Sequence, residues 1–351
     1  MKRCVLEKPG LIRVDNNAPD PVAGPGDVVV RVRAALTCGT DLKAWRRGHP
    51  KMPCPTPFGH EFAGEIVELG SGVEGFGVGE AIMAANTGPC GRCFFCAGDQ
   101  ENLCESIMEE MVLGAYAEYL LVPQRVVRCN LFAKPDQLSF EHAALLEPLS
   151  SVCFGLSHAR TADLREASSA LIIGAGPIGL LWLVALRAAG VGRVVVCGRG
   201  SARLEAARRL GAERVVEAPP EADAAMADLV EGRGADLVVE CTGRPEVWER
   251  ALSLPRRGGT AILFGGCPPG TSVSLDSYRL HYDGVVVHSP FHFRPRDVRS
   301  ARELLSRPDL DWSPLVSSSA SLDELPAVFE RLGEGRDVKC AIVPQDLPAA
   351  E

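Results

Sequence analysis

Four cysteines stand within one short stretch: Cys90, Cys93, Cys96 and Cys104, separated by two, two and seven residues. Thiolates at two-residue gaps can turn back onto a single ion, and zinc accepts four soft ligands in a tetrahedron. Gly88, Pro89, Gly91 and Gly98 supply the tight turns this requires. Four protein ligands leave no coordination position open, so the expected role is structural rather than catalytic. Thiolates also hold iron–sulfur clusters. Zinc is the preferred occupant because the lobe interrupts a β-rich stretch that carries no redox partner motif.

A second constellation is Gly174-Ala175-Gly176-Pro177-Ile178-Gly179, which fits Gly-x-Gly-x-x-Gly. On its own that pattern is only a glycine-rich turn. Here the apolar run Leu171 to Ile173 precedes it and an apolar helical stretch, Leu180 to Ala189, follows. Between a strand and a helix the glycines allow a sharp turn and let a pyrophosphate approach the helix N-terminus, so a dinucleotide is expected. Other candidates are scattered. Cys38 lies in Thr37-Cys38-Gly39-Thr40-Asp41, His60 and Glu61 in Phe58-Gly59-His60-Glu61-Phe62, and Glu147 in Leu146-Glu147-Pro148-Leu149. Each alone has an ordinary reading: a core cysteine, a structural histidine, a turn-starting Glu-Pro.

Taken in order, these motifs make the chain resemble the zinc-dependent branch of the medium-chain dehydrogenase/reductase superfamily over essentially its full length. The carriers are Cys38-Gly39-Thr40-Asp41, Gly59-His60-Glu61, the four-cysteine lobe and the glycine motif from Gly174 to Gly179. The resemblance implies that Cys38 and His60 ligate a catalytic zinc, with Glu61 and Glu147 completing its surroundings; which glutamate binds directly stays open. Simple alcohol dehydrogenases carry cysteine at the Glu147 position, whereas glutamate is similar to the sorbitol, polyol and threonine dehydrogenases. A Cys/His/Glu set is harder and more labile, and better suited to a hydroxyl-rich, bidentate substrate. Zinc as a Lewis acid helps an alcohol lose its proton as its carbon gives up hydride. Thr40 falls at the family's proton-relay position. Lys43 stands where many members have the next relay histidine, and a solvated surface role for it is equally open. Cys241-Thr242-Gly243 and Phe264-Gly265-Gly266, with Thr242 and Gly265, are implied to flank the nicotinamide half.

Cofactor choice turns on the second strand. NAD enzymes of this kind place an acid about 20 residues past the glycines, on the ribose 2′-hydroxyl. Here Val194-Val195-Val196-Cys197 is followed by Gly198-Arg199-Gly200-Ser201-Ala202-Arg203, with no carboxylate before Glu205. By the resemblance, Gly198 takes the place of the acid. Glycine removes a repulsion and leaves room, while Arg199 and Arg203 can pair with a 2′-phosphate and Ser201 can donate to it. NADP is therefore favoured over NAD; the competing view has solvated arginines and NAD bound without a ribose anchor.

The elements that must hold these groups fall into two textures. Up to about residue 150, short strands such as Val28 to Arg33 and Phe62 to Leu69 alternate with Pro- and Gly-rich turns. Such a pattern suggests an irregular barrel. From about Ala170, apolar runs alternate with helices: Leu171 to Ile173, Val194 to Cys197, Leu237 to Cys241 and Ala261 to Phe264, with Val285 to Val287 as a candidate edge strand. That alternation means a doubly wound parallel sheet. A helix near Arg296 to Leu305 and a last strand, Lys339 to Val343, are expected to return and complete the first domain. The expected α/β architecture is a GroES-like β-barrel catalytic domain, 1–150 and 289–351, with the zinc lobe at 88–106, and a Rossmann domain at 151–288.

Bulk properties agree with a small-molecule enzyme. The 351 residues exceed one ordinary core, and 46% hydrophobic with 23% charged residues is a globular balance. A net charge of −8 disfavours nucleic acid and anionic membranes. Thirteen cysteines, an odd number without an apolar leader at the N-terminus, argue for a reduced, cytoplasmic setting rather than a disulfide scaffold. Cys4, Cys129, Cys197 and Cys340 read as core. Ala167 to Leu186 is uncharged and long enough to span a bilayer, but its Gly and Pro cluster reads as strand, turn and helix. The expected activity is hydride transfer between a secondary alcohol of a polyol, sugar or amino-alcohol type substrate and NADP or NAD, with two zinc ions per chain, in a homodimer or homotetramer. Competing readings are a zinc-free quinone or enoyl reductase of the same superfamily and a non-catalytic NADPH-binding protein. Substrate walls are expected on Trp45 to Met52 and Leu280 to Phe293, which carry no decodable signal.

Overall fold

The computed structural model describes residues 1–159, 168–217 and 232–344. The chain divides into two compact units, Met1–Ser150 with Phe293–Glu351, and Ser151–His292.

In the first unit, β1 (Arg3–Lys8), β2 (Leu11–Asp15) and β4 (Thr56–Pro57) form a small sheet in the order β2-β1-β4. A larger sheet runs β15 (Ser318–Ala320), β16 (Cys340–Ile342), β3 (Val28–Leu36), β5 (Glu61–Leu69), β6 (Ala81–Ala84) and β8 (Leu131–Ala133), with β7 (Tyr119–Val122) also pairing β3. Strand β3 carries this barrel. Its valines and alanines are buried, while Arg31 and Arg33 turn outward and both reach Glu65 on β5 at 2.8 Å. Two register shifts between β3 and β5 raise the local twist and curl the sheet. Between the layers, Phe58 packs on Phe329 of the helix Leu325–Gly333 with ring centroids 5.2 Å apart, and Trp45 lies 6.0 Å from the same ring. Trp45 is half-buried and Met52 is fully buried, both packed on this core.

Strand β3 runs three residues further than its alternation suggests, to Leu36, and β5 begins one residue earlier, at Glu61. Those extensions matter, because they bring the strand ends up to Cys38 and His60. Strand β16 pairs antiparallel with β3, Ala341 opposite Leu36, so the returning chain lies beside the same strand end.

The second unit is a six-stranded sheet of β9 (Ser169–Ile173), β10 (Arg193–Gly198), β11 (Arg214–Glu217), β12 (Ala235–Glu240), β13 (Pro255–Leu263) and β14 (Val286–His288). Its order is β11-β10-β9-β12-β13-β14 and every pairing is parallel. Near-continuous apolar strands are what a sheet covered on both faces requires. The helices Pro177–Ala188, Ser201–Arg209 and Pro245–Ser253 follow β9, β10 and β12. Ala167 lies outside the described residues; from Ser169 on, the uncharged stretch ending at Leu186 is strand β9, a turn and most of one helix. Among the described residues no helix is long and apolar enough to cross a membrane. Residues 289–292 fall with this sheet rather than with the returning segment, because Ser289 Oγ donates to Leu263 O at 3.0 Å and continues the β14 edge.

Candidate functional site

The ligand atoms of Cys38, His60 and Glu61 lie within 4.8 Å of one another. Local structure explains the meeting. Cys38 follows β3 and caps the helix Gly39–Arg47, its sulfur accepting the Thr40 N–H at 3.4 Å. His60 and Glu61 enter β5, which lies beside β3 with Glu61 opposite Leu36. Both are buried.

Behind these three groups stand residues to which the sequence assigned no role. Asp41, fully buried on the first turn of that helix, places Oδ1 3.0 Å from His60 Nδ1. Its other oxygen accepts from Tyr116 Oη at 2.8 Å, and Tyr116 also reaches Leu36 O at 3.1 Å. With Nδ1 turned to Asp41, Nε2 is the ring nitrogen left for a metal, as second-sphere carboxylates commonly arrange. Burial works against a charged His60, but Asp41 and the Cys38 sulfur outweigh it and hold its pKa well above the usual range. Lys339, on the returning segment before β16, is 1% exposed and pairs with Glu61 Oε2. Its ammonium also donates to Thr37 O at 2.9 Å. Burial raises the Glu61 pKa, with Lys339 opposing. Burial likewise pushes Glu147 up to about 7, while the nearby His60 pulls it down. Glu147 opens the helix Leu146–Ser157 and lies outside the group of three, although close enough to sense His60 and Glu61. Thr40 is half-buried and Lys43 is exposed.

Glu61 Oε1 is buried without a hydrogen-bond partner among the described residues. An orphaned carboxylate oxygen is costly, and a cation beside it would satisfy it. Sulfur, imidazole nitrogen and carboxylate oxygen are the donors zinc takes. The residues present therefore fit such an ion.

Cys90, Cys93, Cys96 and Cys104 form the second group within 4.8 Å. Cys93 and Cys96 sulfurs are 3.5 Å apart and Cys90 and Cys96 sulfurs 3.9 Å, far beyond the ~2.05 Å of a disulfide. None of the thirteen cysteines forms a disulfide. Backbone N–H groups of Arg92 and Cys93 pull the Cys90 thiol down to about 6, while burial and the adjoining Cys93 sulfur push Cys96 up to about 12. Four thiolates this close repel one another, and a dication at their centre lets all four ionise together. Arg296 ties the lobe to the returning segment through Asp99 at 2.8 Å. Of the cysteines read as core, Cys4, Cys197 and Cys340 are buried, and Cys129 is half-buried with its thiol on Arg125 O.

In the second unit the glycine motif forms the turn from β9 into the helix Pro177–Ala188, with Gly176 as N-cap and Pro177 and Ile178 in the first turn. Gly179 is obligatory there: a Cβ on it would stand 1.8 Å from Gly174 O. A cavity of about 570 Å³ opens at this turn, lined by Gly174 to Gly176, Gly198, Arg199, Arg203 and Thr242 among others. Ser201, first residue of its helix, is exposed. Glu240, buried at the end of β12, accepts from the Thr242 and Gly243 N–H groups at 2.6 and 3.1 Å. Trp248 Nε1 donates to Gly265 O at 2.8 Å. Glu240 and Trp248 thus set the two loops at the strand ends, and neither was marked by a motif.

Two stretches match known families: residues 24–131 the alcohol dehydrogenase GroES-like domain, and residues 177–307 the zinc-binding dehydrogenases. The chain belongs to the zinc-dependent, alcohol dehydrogenase-like branch of the medium-chain dehydrogenases. It is 30% identical over 336 residues to an L-threonine 3-dehydrogenase of Shewanella sp. strain W3-18-1, covering 94% of this chain and 95% of that one. A zinc-binding dehydrogenase from Sinorhizobium meliloti 1021, solved bound to NADP, is 30% identical with a TM-score of 0.86, covering 98% and 99% of the two chains. Galactitol-1-phosphate dehydrogenase from Escherichia coli is 25% identical with a TM-score of 0.85, covering 98% and 100%.

Proposed function

We propose that the protein is a zinc-dependent dehydrogenase that moves a hydride between NADP and a secondary alcohol of a polyol, sugar or amino-alcohol type substrate. The observation that carries this reading is the buried S, N, O donor set of Cys38, His60 and Glu61, backed by Asp41 and Lys339. On this reading the unit containing that set is the catalytic domain and Ser151–His292 is the nucleotide domain. Cys38, His60 and one of the two glutamates would hold the catalytic ion, and the four-cysteine lobe a structural one. When bound, zinc supplies Lewis acidity to the substrate hydroxyl and NADP accepts the hydride.

The chain's own residues do the rest. Asp41 fixes the His60 ring and Tyr116 fixes Asp41. Lys339 holds Glu61 turned toward itself through one oxygen. Thr40, two residues past Cys38, takes the hydroxyl proton outward, with Lys43 on the exposed side of the same helix. Relatives named for threonine and for galactitol 1-phosphate support the substrate class.

Elemental analysis of carefully purified, active protein should find about two zinc ions per chain, one for each ligand set. Screening threonine, polyols, sugar phosphates and cyclitols for change in NADPH absorbance should then find turnover that a chelator abolishes. Active protein without zinc would overturn the mechanism. With any substrate so found, kcat/KM should favour NADP over NAD by tenfold or more, about 1.4 kcal/mol; a tenfold preference for NAD refutes the cofactor assignment.

The lobe has its own test. Cys93→Ala removes one of four thiolates and should weaken metal there at least 100-fold, about 2.7 kcal/mol. At roughly 2–4 °C per kcal/mol, Tm should fall by roughly 5–10 °C. An unchanged Tm would mean the lobe does not hold a stabilising ion.

A further inference from the structure

The stretch from Leu42 to His60 holds Lys43, Arg46, Arg47 and Lys51 and no acidic residue, in a chain whose net charge is −8. Arg46 is engaged: its guanidinium donates to Gly333 O at 2.8 Å, at the end of the helix Leu325–Gly333. Lys43 and Arg47 are exposed, and among the described residues neither has an acidic partner. The nearest carboxylate in sequence, Asp41, is buried and turned to His60 and Tyr116. One or two cations suit the last turn of a helix, but Lys43 and Lys51 lie on either side of the last turn of Gly39–Arg47.

The chain folds these groups together. Met52 N–H donates to His49 O at 3.0 Å and Lys51 N–H to His49 Nδ1 at 3.3 Å, so the chain turns back just past the helix. His49 is half-buried there. Burial first, then the charges of Lys43, Lys51 and Arg47, hold its pKa below the usual range. Its ring is therefore neutral near pH 7, and with Nδ1 accepting from Lys51 its proton sits on Nε2, a hydrogen-bond donor. Three cations thus gather about one neutral donor, and a bound anion would relieve their mutual repulsion.

The patch also has a direction. Thr40, Lys43 and Arg47 stand at i, i+3 and i+7 and share one face of the helix that Cys38 caps, while Asp41 and Ala44 occupy its buried face. Along the axis Lys43 lies about 4.5 Å and Arg47 about 10.5 Å beyond Thr40.

We propose that Lys43, Arg47, His49 and Lys51 recognise a phosphate monoester on the substrate, held a few bonds beyond the hydroxyl that Thr40 serves. The place of that hydroxyl rests on the dehydrogenase reading above, whereas the anion patch does not. A carboxylate is matched by one guanidinium. A phosphate carries close to two negative charges at pH 7 and three acceptor oxygens, enough for donors from both the helix and the turn. The substrates selected are thus phosphorylated polyols or sugars rather than free polyols or amino alcohols.

Zinc-loaded protein saturated with NADPH cannot oxidise an alcohol, so binding is read there without turnover and with the nucleotide unit already filled. Calorimetric titration with sorbitol and sorbitol 6-phosphate, and with galactitol and galactitol 1-phosphate, should show an ester binding about tenfold or more tighter than its parent polyol, an advantage that shrinks as salt rises. Inorganic phosphate, followed by its phosphorus NMR line width, requires no particular carbon skeleton and should bind as well. Arg47→Gln/Lys51→Gln should weaken ester and inorganic phosphate about tenfold or more and leave the free polyol within about twofold. Its Tm should stay within about 2 °C of the parent, since both side chains are exposed. Lys43 stays unchanged because it stands beside the proton path. If neither carbon skeleton binds, inorganic phosphate decides. No binding of inorganic phosphate to the parent, equal binding to the double variant, or a loss confined to NADPH overturns the patch. Free polyols or threonine oxidised with NADP while no ester gains affinity also overturn it and leave the dehydrogenase reading standing. Phosphate bound at these residues by a protein that oxidises no alcohol supports the patch and overturns that reading.

Discussion

His60→Ala is expected to lower kcat at least about 1,000-fold, roughly 4 kcal/mol of transition-state stabilisation, while leaving the dissociation constant for NADPH within about threefold of the parent. The ring is buried, its Nδ1 is turned to Asp41, and its other nitrogen completes the donor set with Cys38 and Glu61. Removing it leaves a thiolate and a carboxylate to hold the ion in an enlarged cavity. Cofactor affinity should persist because the glycine turn and Arg199 belong to the other unit, Ser151–His292. Cys38→Ala should behave the same way. Pre-steady-state and equilibrium titrations separate the two quantities. Near-parental turnover in either variant removes that residue from the metal site, and parallel loss of NADPH binding points to general damage instead.

The second large effect concerns Lys339. Its ammonium and the Glu61 carboxylate are both sealed from solvent, at 1% and 0% exposure. Breaking a buried ion pair by deleting one partner costs about 3–5 kcal/mol, because the other charge is stranded. Lys339→Met preserves length and apolar bulk, so the loss should be electrostatic rather than a void. At roughly 2–4 °C per kcal/mol, Tm should drop by roughly 10 °C. Lys339→Met/Glu61→Gln should recover a good part of it, since the stranded charge is gone. If both variants melt with the parent, the pair contributes nothing to stability and serves only to orient Glu61.

How legible this was depended on sequence distance. The four lobe cysteines lie in one short loop, and the glycine motif sits between its own strand and helix, so pattern alone located both. Cys38, His60 and Glu61 emerged as a set only through resemblance, because strand pairing brings them together. Asp41 stood in the Cys38–Asp41 motif without a role, and Tyr116 and Lys339 carried no signal. The Tyr116–Asp41 contact joins residues 75 apart and the Lys339–Glu61 contact residues 278 apart, which no local spacing can announce. Asp41 stood next to the singled-out Thr40, and its proximity to His60 is the one of these that a search for a histidine's partner could have tested. Strand ends were the weakest part of the reading, as β3 shows by running on to Leu36. Cross-strand pairing with β16 and β5 extended it beyond where alternation stops.

Strand β16 has a consequence for biosynthesis. Its first residue, Cys340, donates its backbone N–H to Thr37 Oγ1, 303 residues upstream, and Lys339 beside it neutralises Glu61. A ribosome adding about 5–20 residues per second needs roughly 15–60 s to cover that interval. Throughout it, the Ala35–Leu36 end of β3 lacks its β16 partner and Glu61 has no ammonium to meet, while Ser151–His292 is available to fold on the nascent chain. The nucleotide-binding unit can thus mature during translation, whereas the unit begun first must be finished last. Until then its open edge is the part of the newborn chain most in need of a chaperone.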